Sequence, residues 1–138
     1  FGSSTLFPQV LVLLKSCGEC ISSHSFFWMP LEIIVHHDDI VMEGSFVKRS
    51  KTLKTWRLRW FVLTPGYLFS FKKRDDYKNY TELIHLKQGT MVTSADKKIG
   101  KKHSICVITP ERSFYFIACS GPEQENWINA IRNMIEVN

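Results

Sequence analysis

The stretch Lys54-Thr55-Trp56-Arg57-Leu58-Arg59-Trp60-Phe61-Val62-Leu63-Thr64 decides the fold. As an extended strand it puts Trp56, Leu58, Trp60 and Val62 on one face and Arg57, Arg59, Phe61 and Leu63 on the other. Aromatic and β-branched side chains dominate it, and these pack well on a pleated surface. Pro65-Gly66 ends the run with a turn signal. Working outward, residues 45–49 are expected to form the strand before it, across the polar stretch 50–55. Residues 67–72 are expected to form the strand after it. Residues 73–80 read as a charged loop, 81–86 and 90–94 as two further strands, and 95–102 (ADKKIGKK) as a basic loop. Residues 103–109 and 112–119 complete the set across Pro110-Glu111. Seven short runs with turn signals between them predict an antiparallel sandwich or barrel.

The end of the chain has a different period. Ser120 as N-cap and Glu123 three residues on form a capping box, with Pro122 tolerated in the first turn. Trp127, Ala130, Ile131 and Met134 recur at helical spacing, flanked by Ile128 and Ile135. The predicted fold is therefore mainly β with one C-terminal α-helix, the helix plugging an open end of the barrel with Trp127.

The chain has 138 residues, enough for one domain of about 100–150 residues with an extension. Residues 42–138 are assigned to the domain and 1–41 to an N-terminal extension. Phe1 is not a natural start, so residues 1–41 are read as belonging to a fragment or as partly foreign, non-native sequence, with Met29 and Met42 as candidate initiators. The apolar run 6–14 is interrupted by Pro8 and falls short of the roughly 20 residues a membrane helix needs. Cys17-Gly18-Glu19-Cys20 lacks a second ligand pair, so no metal is expected there and both are read as ordinary thiols. Four Cys at irregular spacing point to a reducing compartment. No glycine-rich phosphate loop, HExxH or nucleophile elbow is present, so neither an enzyme nor a cofactor is expected.

Charge is the functional signal. Lys and Arg total 18 against 13 Asp and Glu, a net +5. Nine of the bases fall between Lys48 and Arg74, a span that contains no acid. Such a field calls for a polyanion. Arg57 and Arg59 project from one strand face, and antiparallel pairing brings Lys48 beside them. Arg holds two phosphate oxygens with its planar fork and Lys adds a point charge. Lys51 and Lys54 sit in the intervening loop, whose backbone N–H groups suit an anion cradle. The lysines at 97, 98, 101 and 102 read mostly as solvated loop charge, His85 and His103 as ordinary histidines, Trp56 and Trp60 as structural, and Cys106 and Cys119 as small core residues.

Residues 42–136 resemble a pleckstrin homology (PH) domain: Glu43-Gly44-Ser45-Phe46-Val47-Lys48-Arg49 is similar to the family's first strand. Lys48 followed by Lys54-Thr55-Trp56-Arg57-Leu58-Arg59 resembles the protein kinase B type of PH domain. The resemblance implies that Lys48, Arg57 and Arg59 hold the 3- and 4-phosphates of an inositol ring. It also implies further contacts from Lys72 and Arg112, with Lys54 secondary. The chain departs from that subgroup at Ser45, where an aromatic is usual, and at Ile84-His85, aligned with a headgroup-contacting Asn. Lys51 stands where the subgroup has an acid.

The expected function is a phosphoinositide-binding, membrane-targeting module for phosphatidylinositol 3,4,5-trisphosphate or the 3,4-bisphosphate. It would act as a cytoplasmic monomer, peripheral at the plasma membrane, recruiting an attached signalling protein. The alternative is a protein-interaction domain for a peptide or small GTPase; nucleic acid is not an expected partner.

Overall fold

The structure, a computed structural model, describes residues 32–50 and 53–137. Cys17, Cys20 and Lys51 lie outside the described residues. Seven strands run in chain order: β1 (Met42–Arg49), β2 (Trp56–Thr64), β3 (Tyr67–Phe71), β4 (Tyr80–His85), β5 (Met91–Ser94), β6 (Ser104–Ile108) and β7 (Ser113–Ile117). A single helical turn, α1 (Asp96–Ile99), precedes β6, and the long helix α2 (Gly121–Met134) closes the domain. The strands form one antiparallel sheet in the order β4-β3-β2-β1-β7-β6-β5. β1 joins the two halves, pairing with β2 along its whole length and with β7 only at Val47 and Lys48.

The expected strands are all present with small shifts of their ends. β1 starts at Met42 rather than residue 45, because residues 42–44 pair with Leu63, Val62 and Phe61. The basic loop 95–102 holds α1, which stops where Gly100 turns left-handed at φ +69°. Cys119 is a correction: it lies past the end of β7 and is exposed, whereas Cys106 is buried as expected.

The main core draws Phe46, Phe61, Leu63, Leu68 and Ile84 from one half of the sheet and Ile105, Val107, Phe114 and Phe116 from the other. Trp127, Ile128 and Ile131 of α2 complete it. Trp127 is 2% exposed and meets Phe46 edge-on with ring centroids 4.7 Å apart. Gly44 lies against the same ring: a Cβ there would sit 3.4 Å from Trp127 Cζ2, an ordinary van der Waals contact. The helix starts as the capping pattern requires, with Glu123 N–H donating to Ser120 Oγ at 3.3 Å. The Glu123 carboxylate accepts from Cys119 N–H at 2.8 Å, one residue upstream of the N-cap. At its far end Gly66 N–H donates to Met134 O, Leu86 N–H to Gly66 O, and Glu136 N–H to Leu86 O. These bonds pin α2 to the β2–β3 turn.

The helix therefore occupies the end of the barrel where β1 begins, and the β1–β2 loop lies at the opposite end. Gly44 and Lys48 are four residues apart, about 13 Å along a strand.

The outer face of β2 and β3 carries a second apolar cluster, Val62, Phe69 and Phe71, packed by Trp60, Tyr67, Tyr77 and Leu83. Ile33, Val35 and Ile40, which precede β1, also pack on it. β3 is thus covered on both faces, which accounts for the continuous burial of residues 68–71, Ser70 included. Among the described residues, no helix is long and apolar enough to cross a membrane.

Candidate anion-binding site

At the β1–β2 loop end, the core-facing rows change from apolar to charged. On β1, Phe46 is followed two residues on by Lys48. On β2, Phe61 is preceded by Arg59 and Arg57. On β4, Ile84 is preceded by Glu82, and before β7 Arg112 precedes Phe114. Strand alternation keeps each charged residue on the face of its apolar neighbour. The register sets Lys48 directly opposite Arg57 and Phe46 opposite Arg59. Lys48, Arg57 and Arg59 line an open hollow of about 350 Å³ with Ser50, Leu53, Thr81 and Glu82. The expected juxtaposition of these three cations is thus realised.

Among the described residues of the loop above them, Ser50 is the common partner. Ser50 N–H donates to Thr55 O at 2.7 Å, and Leu53 N–H donates to Ser50 Oγ at 3.1 Å. Lys54 takes a left-handed φ of +54°. Arg59 Nη1 donates to Leu58 O at 2.9 Å. Leu53 is 67% exposed, an apolar side chain at the rim of a basic hollow.

Glu82 corrects the expectation of a site without an acid. Its carboxylate pairs with Lys48 Nζ through one oxygen and with Arg112 Nη1 at 2.7 Å through the other. The three side chains are shielded, Lys48 12%, Glu82 16% and Arg112 24% exposed, so these pairs are less screened than ordinary surface pairs. The cause lies in β4. Ser70 pairs with Glu82 and Phe71 with Tyr80, so Thr81 is an extra, bulged residue whose hydroxyl donates to Ser70 O at 2.9 Å. Glu82 keeps the inward phase of Ile84. The signal was in the sequence: Glu82, Ile84 and Leu86 share one strand period, and the latter two are core.

Ile84 itself is 2% exposed in the core. His85 is exposed and faces outward, with Nε2 2.9 Å from Glu136 Oε1 and its ring stacked on Tyr67. Neither lines the hollow.

The other expected contacts are divided. Arg112 and Lys54 line a second hollow of about 390 Å³ on the other side of the loop, with Arg49, Ser50, Ser113 and Tyr115. Arg112 also lies 4.2 Å over the Phe114 ring. Lys72 is exposed just beyond β3 and lines neither hollow. Two lysines read as loop charge have aromatic partners: Lys98 lies 5.6 Å from the Tyr115 ring centroid and Lys101 5.5 Å from that of Trp56. Trp60 has a structural place, its Nε1 donating to Glu43 Oε1 at 3.0 Å. Tyr77 O–H donates to the same oxygen at 2.8 Å; burial, then the bond to Glu43, pushes its pKa up to about 12. Among the described residues, no group of three or more His, Cys, Asp or Glu could hold a metal ion.

Among the described residues, seven antiparallel strands form one sheet, plugged at one end by a helix and lined with cations at the other. The chain belongs to the PH domain family, whose sequence pattern it matches over residues 40–136. It is 36% identical over 95 residues to a PH domain-containing protein of Dictyostelium discoideum, covering 68% of this chain and 20% of that protein. It is 34% identical over 95 residues to human diacylglycerol kinase kappa, covering 69% of this chain and 7% of the kinase. The chain thus spans a minor part of the curated relatives it matches. Among solved structures, the C-terminal PH domain of pleckstrin in complex with D-myo-Ins(1,2,3,4,5)P5 is similar at TM-score 0.59 and 26% identity, covering 70% of this chain and 99% of that one. The PH domain of human pleckstrin homology domain-containing protein family A member 5 shares the fold at TM-score 0.67 and 24% identity, covering 85% and 95%.

Proposed function

We propose that the domain binds the headgroup of a phosphoinositide and thereby brings an attached protein to a membrane. The observation that carries this reading is the cross-strand set Lys48, Arg57 and Arg59 on one wall of an open hollow. Three cations on paired strands repel one another, and a multiply phosphorylated ring relieves that repulsion while accepting several charge-assisted hydrogen bonds. The pleckstrin domain with a bound inositol pentakisphosphate supports the ligand class. A mouse dual adapter for phosphotyrosine and 3-phosphotyrosine and 3-phosphoinositide, 30% identical over 90 residues, supports a 3-phosphorylated headgroup.

The finer reading, a preference for the 3,4,5-trisphosphate or 3,4-bisphosphate, rests on the spacing of Lys48, Arg57 and Arg59 alone, because the similar structures are pleckstrin-like and do not support the expected protein kinase B subtype. Lys51, Lys54 and Arg112 would add contacts or attract the surrounding anionic bilayer, where each nearby base contributes about 1 kcal/mol. Lys72, outside both hollows, fits the second role better. Exposed Leu53 at the rim would enter the membrane interface beside the headgroup. The domain would then work as a monomer at the cytoplasmic face of the plasma membrane. Titration of wild type and Arg57→Ala with soluble inositol phosphates tests the reading. Arg57→Ala is expected to lose at least tenfold in affinity; unchanged affinity would refute it.

A further inference from the structure

Among the described residues, Glu82 is the one carboxylate lining the basic hollow, and it is paired with Lys48. Its two oxygens are divided between Lys48, a base of the proposed headgroup set, and Arg112, which lines the neighbouring hollow. Glu82 supports the folded state by pairing with two shielded cations, but it is not what holds the strand in place. The sheet at β4 is already fixed by the Ser70–Thr81 bonds and by Ile84 in the core.

From this geometry we infer that Glu82 is a resident counter-ion that competes with the incoming ligand and sets a charge threshold for binding. The inference rests on the phosphoinositide reading above. With the hollow empty, Glu82 offsets the repulsion around Lys48. An arriving phosphate must take Lys48 from Glu82 and then sit beside a like charge in a partly shielded site, where Coulomb interactions are stronger than in bulk water. A ligand carrying several phosphates overcomes this through its simultaneous contacts with Arg57 and Arg59. A singly charged lipid headgroup such as phosphatidylserine does not. Glu82 therefore lowers affinity for all anions and lowers it most, relative to the total, for the weakly charged ones. Arg112 keeps its share of the carboxylate while Lys48 is released, so Glu82 has a position to retreat to.

Glu82→Gln tests this directly. The amide keeps an oxygen for Lys48 or Arg112, removes the charge and adds an N–H donor toward the ligand. The full chain would be titrated with inositol 1,3,4,5-tetrakisphosphate, and its binding to phosphatidylserine vesicles lacking phosphoinositide compared at the same salt. The variant is expected to bind the tetrakisphosphate about tenfold more tightly, a gain of about 1.4 kcal/mol. It is also expected to gain binding to the phosphatidylserine vesicles. Without ligand it should melt below wild type, because Lys48 and Arg112 lose their partner, and its ligand-induced rise in Tm should be larger.

Glu82→Asp, with a carboxylate one methylene shorter, provides a second folded variant and should fall between the two. If wild type binds and Arg57→Ala abolishes that binding while Glu82→Gln binds equally or more weakly, the counter-ion inference is overturned and the headgroup reading stands. If neither wild type nor Glu82→Gln binds any inositol phosphate, both fall.

Discussion

Individual side chains at the β1–β2 loop end carry two opposed duties. Lys48 is both half of a shielded ion pair with Glu82 and a member of the cross-strand set with Arg57 and Arg59. Arg57 is exposed and has no carboxylate within ion-pair distance among the described residues, so it can be removed without orphaning a partner. Arg57→Ala is accordingly expected to cost about 1.5–3 kcal/mol of headgroup binding while leaving Tm almost unchanged, as calorimetry and thermal melts on one preparation would show. Lys48→Ala should cost both, because it leaves Glu82 with Arg112 alone. The cations were legible in the sequence because their spacing is a strand period. Glu82 was not recognised as their neighbour because it comes from β4, more than twenty residues away: its strand period with Ile84 gives its inward phase, but the sheet sets it beside Lys48. Lys72 shows the converse: the family resemblance implied a contact there, yet the side chain lines neither hollow.

At the scale of elements, α2 depends on two anchors. Trp127 fills the barrel end against Phe46 and Gly44, and Trp127→Ala is expected to destabilise the domain by about 3–5 kcal/mol through the cavity it leaves. The second anchor is polar. Gln124 Nε2 donates to Asp96 Oδ1 at 2.8 Å and to Ser104 O at 2.7 Å, and Asp96 Oδ1 also accepts from Ser104 N–H at 3.0 Å. Partial burial would raise the Asp96 pKa, but the bonds from Gln124, the backbone of residues 103–104 and Ser94 outweigh it and hold the carboxyl below its usual 3.8. A carboxyl depressed in the folded state stabilises fully above its unfolded value and loses that contribution as pH falls through the folded one. Between neutrality and about pH 5, Asp96 should therefore contribute almost no pH dependence, and as pH falls further, through the unfolded and then the folded value, its contribution should fade. Asp96→Asn should flatten the acid limb of a plot of Tm against pH; an unchanged limb would show that other groups govern it. The helix and its capping box were readable because their period and spacing are local. The network that ties α1 to α2 was not, since its members lie 28 and 20 residues apart.

The whole molecule is polarised, with an apolar plug at one end and cations around the β1–β2 loop at the other. The loop end combines two basic hollows, exposed Leu53 and the rim residues that would face a bilayer. Such a surface predicts two kinds of salt dependence. Attraction to phosphatidylserine vesicles should fall steeply as salt rises, because it rests on solvent-exposed charge. Binding to a headgroup in the Lys48–Arg57–Arg59 hollow should fall less, because direct hydrogen bonds hold it. Vesicle sedimentation at two salt concentrations, with and without phosphoinositide, separates them. The measurement that tests the central claim most directly is titration with soluble inositol phosphates that differ only in the 3-phosphate, at near-physiological salt. A preference of tenfold or more for the 3-phosphorylated compounds, about 1.4 kcal/mol, is the predicted result. Equal affinity for every isomer, or no binding at all, would contradict it.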